Sequence, residues 1–317
     1  MMPGTDLDPV HTRLITVEAL AGQGPQREVR GRLVDLRHRG TTWVGSRPTR
    51  PGVVHDMSAR MTIDGDGRVL QAEGAMTRVP FDGNAETEHE SCRDILGNVA
   101  GLAGAVVGED FGRTVSGCIG GRLGCYHLTS LIRVMQPIAI KQRAIEQGML
   151  RRAIRVDGWR RAGSEIMVHA ALEDAGHAVV PAADVVGAAT ARLEFAVALA
   201  DLLQLREVRV EHRHSPLDPG GAWVCERTVE TAKALAGMRL LPGFGRQLGE
   251  LASRGGCEPV LELAQIVSTV SSQILLHLAR PEAVDGDAKS GGRAADTCVM
   301  WRQGGPLANL RIGYEAG

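Results

Sequence analysis

The stretch GCYHLTSLIRVM, residues 124–135, returns in altered form as GCEPVLELAQIV at residues 256–267, an offset of 132. In the first version Leu128, Leu131, Ile132, Met135 and Ile138 fall at i, i+3, i+4, i+7 and i+10, one face of a helix. The second version repeats that face with Val260, Leu263, Ala264, Val267 and Val270. Working outward, FGR at 111–113 recurs at 244–246, offset 133, and VVHDMSARM at 53–61 lines up with VVGAATARL at 185–193, offset 132. ITVE at 15–18 resembles IRVD at 154–157, offset 139. Fragments repeating in the same order at nearly constant spacing indicate a duplicated domain, and a period of about 130 residues is too long for a solenoid.

The character of each copy follows from periodicity. LITVEAL (14–20) and REVRGRLVDLRHR (27–39) are strand-like segments separated by the turn-rich AGQGPQ. In MSARMTID (57–64) apolar and polar residues alternate, and the DGDG turn that follows predicts a hairpin over 57–80. Residues 90–104 suit a helix, and 125–146 suit a longer one that Pro137 interrupts. The expected fold is therefore α+β: two degenerate copies, 1–146 and 147–280, strands first and helices last, forming an intrachain pseudo-dimer. Strands packed on a long helix and paired two to a unit suggest a hot-dog-like arrangement. The remainder, 281–317, opens with EAVDGDAKSGGRAAD, which reads as a loop, before an ordered TCVMWRQGGPLANLRI.

Bulk properties narrow the function. The 317 residues carry 36 basic and 37 acidic side chains and only 3% aromatics, which argues against a nucleic-acid surface. No run approaches the roughly 18 apolar residues of a membrane span, and MMPGTDLDPVHTR lacks the apolar core of a signal peptide. Six cysteines without CxxC spacing read as reduced thiols. A cytoplasmic protein, with self-association left open, is the expectation.

The two copies differ where chemistry would sit. Gly124 and Cys125 persist as Gly256 and Cys257, but His127 becomes Pro259, His55 and Asp56 become Gly187 and Ala188, and His11 becomes Leu150. Arg13 keeps its charge as Arg152, and Asp35 has Glu173 or Asp174 as its counterpart. The first copy is thus expected to hold a site that the second supports. His127 or His55 can act as general base on water, with Asp56 or Asp35 orienting it and His11 near by. Amides at the helix start, near Cys125 and Tyr126, can polarise a carbonyl. Adjacent strand residues face opposite ways, so one of His55 and Asp56 is expected to face the pocket unless a bulge intervenes. A divalent metal on His11, His55, Asp56 and His127 ranks lower, because the spacings match no metal motif. A Cys125 nucleophile ranks third, since the cysteine persists in the copy that lost the histidines.

HTR (11–13) with ITVE, VRGRLVD (29–35), HDMSARMTID (55–64), GCYHL (124–128) and TCVMWRQGGPL (297–307) together resemble the bacterial domain-of-unknown-function family 2889. The resemblance places His11, Arg13, Asp35, His55, Asp56, Gly124, Cys125, His127, Leu128 and Cys298 on motif positions and covers about 1–135 and 296–305. Tyr126, where a small residue is usual, and DLRHRG after the second strand depart from the pattern. The resemblance implies an association with CoA-linked catabolism of aromatic and steroid compounds. The resulting expectation is an acyl-CoA thioesterase or related thioester hydrolase, needing no cofactor beyond the CoA of its substrate. Arg13, Arg60 or Arg122 is expected to meet CoA phosphates, with Gly124, Cys125 and Tyr126 around the acyl group. The alternatives are a non-catalytic ligand-binding or stabilising partner of a CoA enzyme, and a metal-dependent hydrolase.

Overall fold

In MSARMTI (57–63) the odd-numbered residues are buried and the even-numbered ones face outward, and the same alternation runs through the neighbouring strands. One face of the resulting sheet is apolar and must be covered; the other carries charged pairs such as Arg32 with Asp56 and Arg60 with Glu28. The computed structural model describes residues 7–21, 24–44, 47–143, 147–161, 165–180, 183–198, 204–215, 226–240, 244–276, 298–307 and 312–315. The first copy contributes β1 (Asp8–Ala21), β2 (Arg27–Arg37), β3 (Thr41–Val44), β4 (Arg47–Thr49), β5 (Gly52–Ile63) and β6 (Val69–Arg78). The second contributes β7 (Gln147–Arg161), β8 (Glu165–Val180), β9 (Ala183–Ala198) and β10 (Gln204–Ser215). A last strand, β11 (Ile312–Glu315), pairs with β3, which pairs with β4, in a small separate sheet.

The large sheet runs β10-β9-β8-β7-β1-β2-β5-β6, antiparallel throughout. Each half is a meander, and the halves join along β1 and β7 with Ile15 opposite Ile154. The expected pseudo-dimer is thus one continuous eight-stranded sheet. In each half a long helix follows its four-stranded meander and lies on the antiparallel sheet. The predicted hairpin forms between β5 and β6. Its Asp64 carboxylate accepts from the amides of Asp66 and Arg68 at 3.0 and 2.8 Å, and Gly67 takes φ 82°.

Helices then cover the apolar face. The segment expected as a helix over 90–104 is a 3-10 helix, Cys92–Leu102, capped reciprocally by Ser91 and Asp94. It is followed by α1 (Phe111–Ile119) and α2 (Tyr126–Arg143), with Pro137 inside α2. The second copy supplies α3 (Glu226–Leu235), α4 (Phe244–Ser253) and α5 (Glu258–Leu276). All ten apolar residues assigned to the two long helix faces are buried, from Leu128 to Ile138 on α2 and from Val260 to Val270 on α5. At about 1.5–3 kcal/mol for each fully buried side chain, these faces anchor the helices to the sheet.

The turn from α1 into α2 explains the retained glycine. A Cβ on Gly124 would lie 1.8 Å from the Ile119 carbonyl oxygen, so no larger residue fits. Gly256, at the matching turn between α4 and α5, is also tight: a Cβ there would lie 3.0 Å from Leu261 and 3.1 Å from the Leu251 carbonyl.

Strand register corrects the pairing of the copies. Asp35 lies opposite His55, and Asp174 lies opposite Ala189, so the counterparts of His55 and Asp56 are Ala189 and Thr190 rather than Gly187 and Ala188. Cys92, Cys118, Cys125, Cys257 and Cys298 are free thiols. Among the described residues no helix is long and apolar enough to cross a membrane. The loop expected at 282–296 lies outside the described residues.

Candidate functional site

Arg13, Asp35 and His55 stand directly across from one another on three adjacent strands, β1, β2 and β5, and all point to the helix-covered face. Arg13 grips Asp35 with two parallel bonds, Nε to Oδ1 and NH2 to Oδ2, each 2.7 Å. Its remaining nitrogen, NH1, donates to Thr269 Oγ1 on α5 at 2.7 Å, so the second copy completes the arrangement. Arg13 and Asp35 are both fully buried.

Three imidazoles surround that carboxylate. His11, two residues before Arg13 and on the same face of β1, places Nε2 3.2 Å from Asp35 Oδ1. His55 Nδ1 approaches Oδ2 at 3.0 Å and His127 Nε2 approaches the same oxygen at 3.6 Å, neither with hydrogen-bond geometry. The His55 and His127 rings lie face to face, centroids 3.9 Å apart and tilted by 31°. His127 is the member that reaches the surface, with 13% of its side chain exposed against 4% for His55 and 1% for His11.

Burial sets the protonation of the group. It opposes charge on Asp35, yet the Arg13 guanidinium and the neighbouring imidazoles hold the carboxyl well below the ordinary range. Burial also lowers His11, against the pull of Asp35, and lowers His127 strongly, helped by His55 and Arg13 beside it. The centre is a fixed Arg–Asp pair ringed by basic nitrogens, two of which favour the neutral form.

His11, Asp35, His55 and His127 converge, whereas the expectations for Asp56, Arg13, Gly124 and the amides near Cys125 need correction. Asp56 is on the outer face of β5, bonded to Arg32 at 2.9 and 2.8 Å; strand alternation sends it away from His55 despite the bulge beside that pair. Arg13 is not available to a phosphate, because its three nitrogens are engaged inside the protein. The amides at the start of α2 are not a free carbonyl-binding pocket. Cys125 N–H donates to Ile119 O at 3.0 Å, and the amides of His127 and Leu128 donate to the Cys125 sulfur. Gly124 is a turn residue whose carbonyl accepts from Val299 N–H at 2.7 Å. The Cys125 thiol is buried and pushed up to about 12, which suits capping and not nucleophilic attack.

Tyr126 points elsewhere, bonding Ser268 and lining a cleft of about 610 Å³ between α2 and the α4–α5 pair. Thr129, Ser130, Pro137, Arg152, Glu262 and Thr269 also face this cleft. Thr269 is the participant that the sequence comparison missed. Its counterpart at the 132 offset is Pro137, so alignment of the copies carries no sign of it.

The family described as a protein of unknown function (DUF2889) matches residues 11–141 and again 150–273. The chain belongs to the DUF2889 family. Both halves are copies of the DUF2889 unit, and the buried histidine cluster belongs to the first match alone. No curated protein and no solved structure matches the chain.

Proposed function

We propose that this DUF2889 protein hydrolyses an activated acyl compound, a CoA thioester first among the candidates, at the His–Asp centre of its first copy. One observation carries the reading: three imidazoles converge on one ionised carboxylate, and only His127 reaches the surface from that cluster. Water at the His127 edge gives its proton to the centre while its oxygen bonds to the acyl carbon. The carbon–sulfur bond then breaks, and the leaving thiolate takes the proton back, giving a carboxylic acid and a free thiol. Asp35, held rigid by Arg13, steadies the positive charge that forms on the imidazoles. The cleft between α2 and the α4–α5 pair, lined by Tyr126 next in sequence to His127, offers a mixed apolar and polar lining for an acyl group. The resemblance to a family associated with aromatic and steroid catabolism directs the choice of substrates.

The test is thiol release from a panel of aryl- and steroidyl-CoA esters. His127→Gln is expected to lower the rate by about 100-fold or more, the range for loss of a general base. Absence of thiol release from every ester, or release unchanged in His127→Gln, refutes the reading.

A further inference from the structure

We infer that Asp35, His55 and His127 bind one divalent cation of the zinc or cobalt type. Three donor atoms from these residues, one from each, lie within 4.8 Å of one another. Tetrahedral zinc with bonds of about 2.0–2.2 Å sets its ligand atoms roughly 3.3 Å apart. The distances from Asp35 Oδ2 to His55 Nδ1 and His127 Nε2, 3.0 and 3.6 Å, bracket that spacing.

The unmet nitrogens make the stronger argument. His55 Nδ1 and His127 Nε2 are both shielded from water; His127 Nε2 has no hydrogen-bond partner, and His55 Nδ1 meets Asp35 Oδ2 at 3.0 Å only off the hydrogen-bond axis. Buried polar atoms are normally satisfied, and leaving one unpaired costs about 1–3 kcal/mol. Here two such atoms on different elements crowd one carboxylate oxygen without an aligned hydrogen bond to it, which leaves their lone pairs for a shared ion. Each carboxylate oxygen has two lone pairs. At Oδ2 one accepts from Arg13, so one remains to ligate an ion. His11 hydrogen-bonds the opposite oxygen and so orients the ligating carboxylate, as outer partners of metal ligands do.

Two imidazoles and one carboxylate favour zinc, cobalt, iron or nickel over calcium or magnesium. The guanidinium beside Asp35 opposes a second positive charge, so binding relies on the nitrogens. The second copy is a built-in control, because Asp174 keeps its arginine but has Ala189 as its cross-strand partner in place of His55, and Pro259 stands at the position of His127 in sequence. One cation per chain is therefore expected, not two. A catalytic role for the cation rests on the hydrolase reading, in which metal-bound water would replace water activated by His127 alone; the binding itself does not.

The full chain, stripped with a chelator, is titrated with Co²⁺ and followed by its visible absorption, with Zn²⁺ as competitor and Mg²⁺ as control. One equivalent of Co²⁺ displaced by Zn²⁺ and not by Mg²⁺ is expected. Binding should weaken at least tenfold in His55→Gln and in His127→Gln, each checked for its fold by circular dichroism, and stay unchanged in His38→Gln, whose ring bonds the Thr12 hydroxyl outside the cluster. No bound equivalent, or binding indifferent to both ligand substitutions, overturns the site. One equivalent bound without thiol release supports the site and counts against the hydrolase reading. Thiol release that survives chelation in full overturns the cation's catalytic role and leaves the hydrolase reading in place.

Discussion

The two copies carry the same arginine–aspartate rung with opposite surroundings. Arg152 grips Asp174 at 2.7 Å through both nitrogens, as Arg13 grips Asp35. Around Asp35 stand His11, His55 and His127; at the matching positions of the second copy the chain has Leu150, Ala189 and Pro259. Asp174 is 16% exposed and gains Lys141 at 3.2 Å, whereas Asp35 is sealed. The ion pair is thus common scaffolding, and the histidines are the addition specific to one half. A residue kept in both copies answers a packing need, while a residue kept in one points to chemistry.

Substitutions can test that distinction. The largest effect is expected from Arg13→Met, which strands a buried carboxylate and should cost about 3–5 kcal/mol in denaturant unfolding. Arg152→Met should cost clearly less, because water and Lys141 still reach Asp174. Equal losses would mean that the two rungs are equivalent. Gly124→Ala should cost about 3 kcal/mol or more, as the new methyl meets a backbone carbonyl, while Gly256→Ala should cost about 1 kcal/mol. Thermal melts of the pair check this ordering.

A pH series sharpens the contrast further. Burial resists the Asp174 charge, but Arg152 and Lys141 hold its carboxyl below the ordinary range. A lowered folded value means that the unfolded chain takes up the proton first, so this stabilisation is complete above about pH 4 and fades as pH falls through the folded value. Asp174→Asn should therefore melt below the parent at pH 7, with the gap closing in acid. Last, Asp56→Ala removes an exposed pair and should change stability by about 0–1 kcal/mol, with no change in thiol release.

Much of this was legible in the sequence because packing and duplication leave periodic traces. The helix faces from Leu128 and from Val260 and the β5–β6 hairpin follow from spacing alone, and strand alternation puts one of His55 and Asp56, without saying which, on the inner face. The comparison of copies also brought His11, His55 and His127 forward. What spacing could not supply was anything that depends on a cross-strand or interhelix partner. Asp35 had two possible counterparts until strand register paired Arg152 with Asp174. The amides near Cys125 looked available because an unpaired helix start is the rule, and only the fold reveals the sulfur and the Ile119 carbonyl that occupy them. Arg13 looked like a phosphate ligand because its charge, not its burial, is written in the sequence.

The bond from Arg13 to Thr269 has no mirror image. Pseudo-symmetry would send Arg152 to residue 137 of α2, where proline offers no acceptor, and Arg152 turns instead to Glu262 on its own side at 2.7 Å. Pro137, Arg152, Glu262 and Thr269 all border the cleft, so the open space lies where the return handshake is missing. The halves have become unequal partners: the leading one completes its centre with a hydroxyl lent by the trailing one. A gene encoding only the leading half would leave that arginine one bond short.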